Sequence, residues 1–351
     1  MKNINIIYIL PELKGASGGG KVIYNHSNII NSLGNNFSSQ ILHIKKSLTY
    51  KLKISISKRT NFFNDEFSGW NGKKIRVSKN FKPDQKWFNK NISIKKDINF
   101  NPKNDFIILP EIFAHFANDL EFKKKKIKYA IFVQGLYHMN TTSDYKKIKS
   151  CYENANYIIT SSQNSLKFIK DLFPKIKNKI HKIDLSVGNI KLKSKKKLNL
   201  ITCMIRKLPA HYLLLLFYLR NKLPPSWKIE NIDGVSEKKL YNKYLQSKIF
   251  LSFSHLEGLG LPPIEAALCG NKVIGYDGGG GKEYWKKPIF NKVEYGSIQS
   301  FGNIIINEIK NYRNNWIKET NKQRKNIKIK YSEINEKKTL LSLCKKINYI
   351  F

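Results

Sequence analysis

Residues 250–284, FLSFSHLEGLGLPPIEAALCGNKVIGYDGGGGKEY, decide the reading of this chain. Residues 248–253 are rich in apolar and aromatic side chains, as a buried strand is. A loop follows, Glu257-Gly258-Leu259-Gly260-Leu261, and Pro262 and Pro263 then open a helix, where a fixed φ is tolerated. Gly270 suits the left-handed position that closes a helix. Residues 272–276 form a second strand, and residues 278–281 are all glycine. A helix start leaves N–H groups unpaired and carries partial positive charge. Glycines ahead of it let a phosphate approach the backbone. Glu265 is expected in the first helical turn and Glu257 at the end of the strand, so two carboxylates flank an anion-binding helix start. Carboxylates accept hydrogen bonds from sugar hydroxyls. An anion site between two polyol ends fits a nucleotide sugar. The same residues also fit an ordinary βαβ unit with a glycine-rich turn.

The motif EGLGLPPIEAALCG resembles the E-x7-E signature of retaining family 4 glycosyltransferases. That resemblance implies an α/β chain with the GT-B fold, two Rossmann-like parallel-sheet domains facing across a cleft with the donor clasped between them. It implies transfer of a sugar, with retention and without a metal, from a nucleotide sugar to a glycan or glycolipid acceptor. By the same resemblance, Glu265 binds the nucleotide ribose and Glu257 lies by the donor sugar, with Gly258, Leu259, Gly260 and Leu261 lining the donor site. The family keeps an Arg and a Lys after the first strand of the second domain. Here these are Arg206 and Lys207, adjacent where the family separates them. They are expected to stabilise the leaving diphosphate, with Glu257 the third catalytic residue. Gly234 and Val235 correspond to the turn beside the base. Gly18, Gly19 and Gly20 correspond to the glycine loop that reaches the donor phosphate and the acceptor. Many members carry a His directly after the strand read at residues 129–133. Here Gln134 stands there, with His138 four residues on, so Gln134, His138 and His115 are the acceptor-side candidates.

Residue choice supports the basic pair independently. Of 64 basic side chains only six are Arg, yet one stands at position 206. A planar guanidinium holds two phosphate oxygens at once, which an ammonium cannot do. The net charge of +39 favours an anionic partner: a nucleotide, an anionic membrane surface or nucleic acid. The abundance of Lys, Asn and Ile also fits the codons of an AT-rich genome, which would leave the charge without a partner. Two rival functions stay open: a glycosyltransferase that modifies nucleic-acid bases, and a non-catalytic nucleotide- or carbohydrate-binding protein. The latter would be expected to lack Glu257, Glu265 or the basic pair, and all four are present.

The remaining chain reads as alternating strands and helices, the pattern of parallel sheets with crossover helices. Residues 4–10 are a buried strand, followed by a glycine loop at 15–20 and a helix at 21–33. Further strands are expected at 106–109, 129–133, 156–161, 198–204 and 227–232, with helices at 163–172 and 237–246, the latter capped by Ser236. Residues 44–104 are Lys- and Asn-rich with interspersed aromatics, among them Phe62, Phe63, Phe67, Trp70, Phe81, Trp87 and Phe88. They fit an acceptor-facing insertion, a compositionally biased surface or a nucleic-acid-binding segment. The lysines at 123–126 fit a solvated face or a contact with anionic lipid. The first domain is expected to span residues 1–188, joined by a returning helix at 334–351, and the second residues 189–333, with 188–197 as linker. Four scattered cysteines give no metal or redox spacing, no metal or other cofactor is expected, and a reducing, cytoplasmic compartment is the expectation. The N-terminus suits a first strand better than a signal peptide. The longest apolar run, residues 212–219, is far short of the roughly 20 needed to span a bilayer.

Overall fold

The computed structural model describes residues 3–12, 17–34, 36–45, 75–83, 88, 90–139, 145–188 and 195–351. The chain divides into two compact units, Met1–Ile183 with Lys337–Phe351, and Asp184–Glu336.

The first unit is built on a parallel sheet of β1 (Ile4–Pro11), β2 (Phe37–Ile44), β3 (Asp105–Pro110), β4 (Lys128–Val133), β5 (Tyr157–Thr160) and β6 (Ile180–Lys182), in the order β2-β1-β3-β4-β5-β6. Strands β1, β3, β4 and β5 read as apolar runs rather than alternating ones, because helices cover both faces of a parallel sheet. Ile7, Ile9, Leu109, Ile131 and Val133 lie in one core with Phe113, Phe116 and Tyr152. The helices include α1 (Gly18–Ser32), α2 (Tyr145–Asn154) and α3 (Gln163–Leu172).

Two features differ from the sequence expectation. Helix α1 begins at Gly18, so Gly18, Gly19 and Gly20 form its first turn instead of a loop. The cause is Ser17, whose hydroxyl accepts from the Gly20 N–H at 3.2 Å and caps the helix ahead of the glycines. The described residues between 75 and 104 are partly core. Phe88 is buried against Tyr24, with ring centroids 5.0 Å apart, and Phe81 packs on His43 at 4.7 Å. Those two aromatics are thus spent on packing and do not form a stacking surface for bases. Phe62, Phe63, Phe67, Trp70 and Trp87 lie outside the described residues.

The second unit has a parallel sheet in the order β11-β10-β9-β7-β8. Its strands are β7 (Leu198–Met204), β8 (Lys228–Asn231), β9 (Ser247–Glu257), β10 (Lys272–Gly279) and β11 (Phe290–Lys292). The helices are α4 (Pro209–Leu219), α5 (Glu237–Gln246), α6 (Leu261–Leu268), α7 (Ile298–Lys310) and α8 (Asn321–Lys330), besides single turns. Its core centres on Ile201, Ile249, Leu251, Phe253, Ile274 and Phe301. Lys197, read as the end of a linker, has a structural task. Its ammonium donates to the carbonyls of Tyr244 (3.0 Å), Ser247 (2.7 Å) and Cys269 (2.7 Å). It thereby closes the C-terminal ends of α5 and α6, where unpaired carbonyls gather negative charge.

The last helix, α9 (Glu333–Asn348), runs from the second unit into the first. Leu340, Leu343, Cys344 and Ile347 are buried. Tyr157 donates to the carbonyl of Lys346 at 2.9 Å, and Lys128 lies 3.7 Å from the ring centre of Phe351.

Candidate functional site

Open parallel sheets bind ligands outside the carboxyl ends of their strands, where the strand order reverses. In the second unit that point is β7, flanked by β8 on one side and β9 on the other. The chain leaves β7 through a tight turn, in which the Leu208 N–H donates to the Ile205 carbonyl at 2.9 Å. Arg206 and Lys207 are its two central residues, so both side chains project at the switch point. Lys207 donates to the Glu257 carboxylate at 2.7 Å and to the His255 carbonyl at 3.1 Å. Two of the residues expected to be catalytic are therefore brought together. Arg206 is exposed and makes no hydrogen bond or ion pair among the described residues. The Lys207 and Glu257 side chains are 37% and 27% exposed, and a pair this wet is worth about 0–1 kcal/mol, so an incoming phosphate can compete for the ammonium.

Strand β9 continues past residue 253 to Glu257, at the strand end as expected, and sets it beside Gly279 of β10. Leu256 sits at φ +51°, a left-handed conformation uncommon outside glycine, which turns the chain just before the carboxylate. The glycines at 278–281 have a packing role. They allow two backbones to touch. A Cβ on Gly280 would lie 1.9 Å from the Gly258 carbonyl oxygen, and one on Gly278 would lie 2.8 Å from Cγ of Glu257. Gly260 caps α6 at φ +80°, and its carbonyl accepts from the buried Tyr284 hydroxyl at 2.7 Å. The loop Gly258-Leu259-Gly260 is thus held from beneath by the second glycine run and by Tyr284.

The helix start meets the expectation at its prolines and differs at Glu265. Pro262 and Pro263 occupy the first turn of α6 and remove two N–H donors. The N–H groups left at this helix start are those of Gly260 and Leu261. Glu265 is in the second turn of α6, because the helix starts at Leu261. Its carboxylate accepts from the Tyr241 hydroxyl at 3.1 Å, so α5 orients it. Burial, and next the Glu265 charge, push the Tyr241 phenol far above its ordinary pKa, which keeps it a donor. Gly234 is at φ +60°, with open space around it, and Val235 is 40% exposed, so this turn leaves room for a flat ring. Ser236 caps α5 by accepting from the Lys239 N–H.

In the first unit the reversal falls between β1 and β3. The first turn of α1 meets the end of β4 there: a Cβ on Gly19 would lie 2.8 Å from Oε1 of Gln134. His138, exposed on a single turn at Leu136–His138, reaches within 3.2 Å of a Cβ built on Gly135. Gln134 and His138 therefore share one loop with Gly19 against it. His115 is not available to an acceptor. It is 2% exposed and packs edge-on against Phe116 at 4.8 Å.

Sequence reasoning passed over three residues of this architecture. Tyr241 and Tyr284 carry no local signature, since their partners lie 24 residues away. Glu111 did carry one, an acid directly after a strand at the carboxyl edge. It is buried and accepts from the N–H groups of Gln134 (3.1 Å) and Gly135 (2.8 Å), holding the loop that carries Gln134 and His138. Burial raises its pKa to about 7, against the lowering effect of those N–H donors. Between its ordinary 4.5 and 7 the folded chain holds a proton that the unfolded chain has released. The stabilising contribution is complete at low pH and is lost as pH rises through 7. Melting curves should therefore show wild type losing more stability than Glu111→Gln as pH rises through this window, at up to about 1.4 kcal/mol per pH unit. Equal pH slopes would exclude Glu111 as the titrating group.

Residues 214–330 match the family described as "Glycosyl transferases group 1". Within the second unit, that stretch is similar to group 1 glycosyltransferases. That span includes Glu257, Glu265 and the loop between them, and begins just after Arg206 and Lys207. A curated viral relative, "Putative glycosyltransferase 41" of Sulfolobus islandicus filamentous virus (isolate Iceland/Hveragerdi), is 29% identical over 160 residues. The match covers 42% of this chain and 45% of that protein, so the chain spans under half of the relative's length. Similar solved structures cover nearly the whole chain. A TarM mutant from S. aureus, in complex with fondaparinux, alpha-GlcNAc-glycerol and UDP, has a TM-score of 0.64 at 14% identity, covering 97% of this chain and 98% of that one. The pneumococcal O-GlcNAc transferase GtfA, in complex with UDP and GlcNAc, has a TM-score of 0.62 at 13% identity, covering 99% of each. Sucrose-phosphate synthase from Thermosynechococcus elongatus has a TM-score of 0.66 at 10% identity, covering 99% of this chain and 100% of that one. The chain has the GT-B fold, two parallel-sheet α/β units.

Proposed function

We propose that this chain transfers a sugar from a nucleotide-sugar donor to a glycan or glycolipid acceptor, with retention of configuration and without a metal. The observation that carries the reading is the Lys207–Glu257 pair at the switch point of the second unit, beside the exposed guanidinium of Arg206. In this reading Arg206 and Lys207 take the donor diphosphate and neutralise the charge that develops as it leaves. Lys207 exchanges Glu257 for phosphate, which frees Glu257 for the donor sugar. Glu265, oriented by Tyr241, accepts from the ribose hydroxyls, and Gly234 and Val235 border the base. Gly258, Leu259, Gly260 and Leu261 supply backbone between the two carboxylates. The acceptor is met by Gln134 and His138 of the first unit, with Gly18, Gly19 and Gly20 at the start of α1.

The UDP present in the TarM and GtfA structures makes UDP sugars the first donors to try. We take the work to be cytoplasmic, at a membrane face when the acceptor is a glycolipid. No described helix is long and apolar enough to cross a membrane. The lysines at 123–126 are exposed and available to an anionic surface.

Proton NMR of the product tests the reading: the new glycosidic bond should keep the donor's anomeric configuration, and an inverted product would overturn the retaining assignment. Turnover should persist in excess EDTA, because Arg206, Lys207 and backbone N–H groups supply the positive charge. Abolition by EDTA with recovery on Mg2+ or Mn2+ would contradict it. Arg206→Lys should lower kcat by about tenfold or more although the charge is kept, since the ammonium cannot hold two phosphate oxygens in a fork. Wild-type kinetics for Arg206→Lys would remove the guanidinium from the mechanism.

A further inference from the structure

Helix α4, PAHYLLLLFYL, has two apolar faces where a globular helix has one. Leu215 and Leu219 are buried in the core of the second unit, and Tyr212 packs edge-on against Phe253. On the opposite side Leu213, Leu214 and Phe217 are 64%, 54% and 73% exposed. Their spacing sets them on one stripe of the helix. Nothing in the mechanism uses them, and large apolar side chains grouped in water mark a contact surface.

The charge around the stripe selects the partner. Arg220 and Lys222 follow directly at the carboxyl end of the helix, both exposed. Lys222 lies 3.4 Å from the ring centre of Tyr218. The neighbouring helix α7 exposes Asn303, Asn307 and Lys310, and Tyr218 donates to Asn303 at 2.7 Å. Helix α4 contains no acid, and the single acid of α7, Glu308, is paired with Lys272. An apolar stripe edged by cations and free of acids complements an anionic lipid surface: the side chains enter the headgroup boundary and the cations meet the phosphates. The net charge of +39 acts in the same direction.

We propose that α4 docks this chain on an anionic bilayer, with Leu213, Leu214 and Phe217 inserted and Arg220 and Lys222 on the headgroups. The amino end of α4 continues directly from Arg206 and Lys207, so docking holds the donor turn close to the lipid surface. The proposal does not depend on sugar transfer and is read without any nucleotide.

The test is co-sedimentation of the full chain with phosphatidylcholine vesicles with and without phosphatidylglycerol, at about 0.15 M salt. Wild type should partition onto the anionic vesicles. The combined variant L213S, L214S and F217S should lose at least about tenfold in partition while keeping its melting temperature, because those side chains touch solvent and no core. Replacing the four lysines at 123–126 with serine should cost less than the α4 variant. Unchanged partition in the α4 variant would overturn the proposal, as would loss confined to the lysine variant. A wild-type dimer in solution that the α4 variant renders monomeric would instead assign the stripe to a second copy of the chain.

Discussion

Glu265→Ala is expected to weaken nucleotide binding by about tenfold to a hundredfold, because a hydrogen bond to a charged group contributes about 1.5–3 kcal/mol. The carboxylate is partly buried in α6 and held by Tyr241, so its geometry is set before the ligand arrives. Preorganisation of this kind spares the ligand the cost of ordering the side chain. Tyr241→Phe should therefore weaken binding too, by a smaller factor, since the carboxylate stays but is free to turn. Calorimetric titration of both variants with the preferred nucleoside diphosphate reads the two effects. Equal affinities for wild type and Glu265→Ala, in a folded variant, would place the ribose elsewhere.

Gly280→Ala should produce the largest loss of stability of any single methyl added to this chain's glycine segments. Its Cβ would sit 1.9 Å from the Gly258 carbonyl oxygen and 2.3 Å from its carbon, both backbone atoms that cannot rotate away. Overpacking typically costs about 1–3 kcal/mol, and a contact with two fixed backbones belongs at the top of that range. The displaced loop also carries Gly258 and Gly260, so donor affinity should fall with stability. Gly18→Ala is the control. A Cβ there meets nothing within 4 Å, and α1 already has helical geometry at that residue, so its melting temperature should hold or rise. Similar melting temperatures for Gly280→Ala and wild type would show that the two glycine segments do not bear on one another.

Much of this architecture was legible because it is encoded locally. Strand β7 and helices α3 and α5 fall where apolar runs and the Ser236 cap put them, and the glycine-and-proline punctuation around Glu257 marks the end of β9 and the start of α6. What escaped depends on distance or on a single competing bond. Ser17 pulled the start of α1 back over three glycines, against their poor helix propensity. The role of Lys197 arises from carbonyls 47 to 72 residues away, which no local pattern announces. The prolines at 262 and 263 were legible as a helix start, but their missing N–H groups matter to the ligand as well as to the helix. The Lys207–Glu257 pair needed the sheet order, since only the adjacency of β7 and β9 brings those two segments together.

In the proposed function, the second unit binds a nucleotide sugar through the residues at its switch point. Isothermal titration of the purified chain against UDP-, GDP-, ADP- and dTDP-sugars tests it most directly, run beside Glu265→Ala and Arg206→Lys. The account predicts saturable binding of one nucleotide class by wild type and weaker binding by both variants. No binding of any nucleotide sugar, or binding that both variants leave untouched, would contradict it.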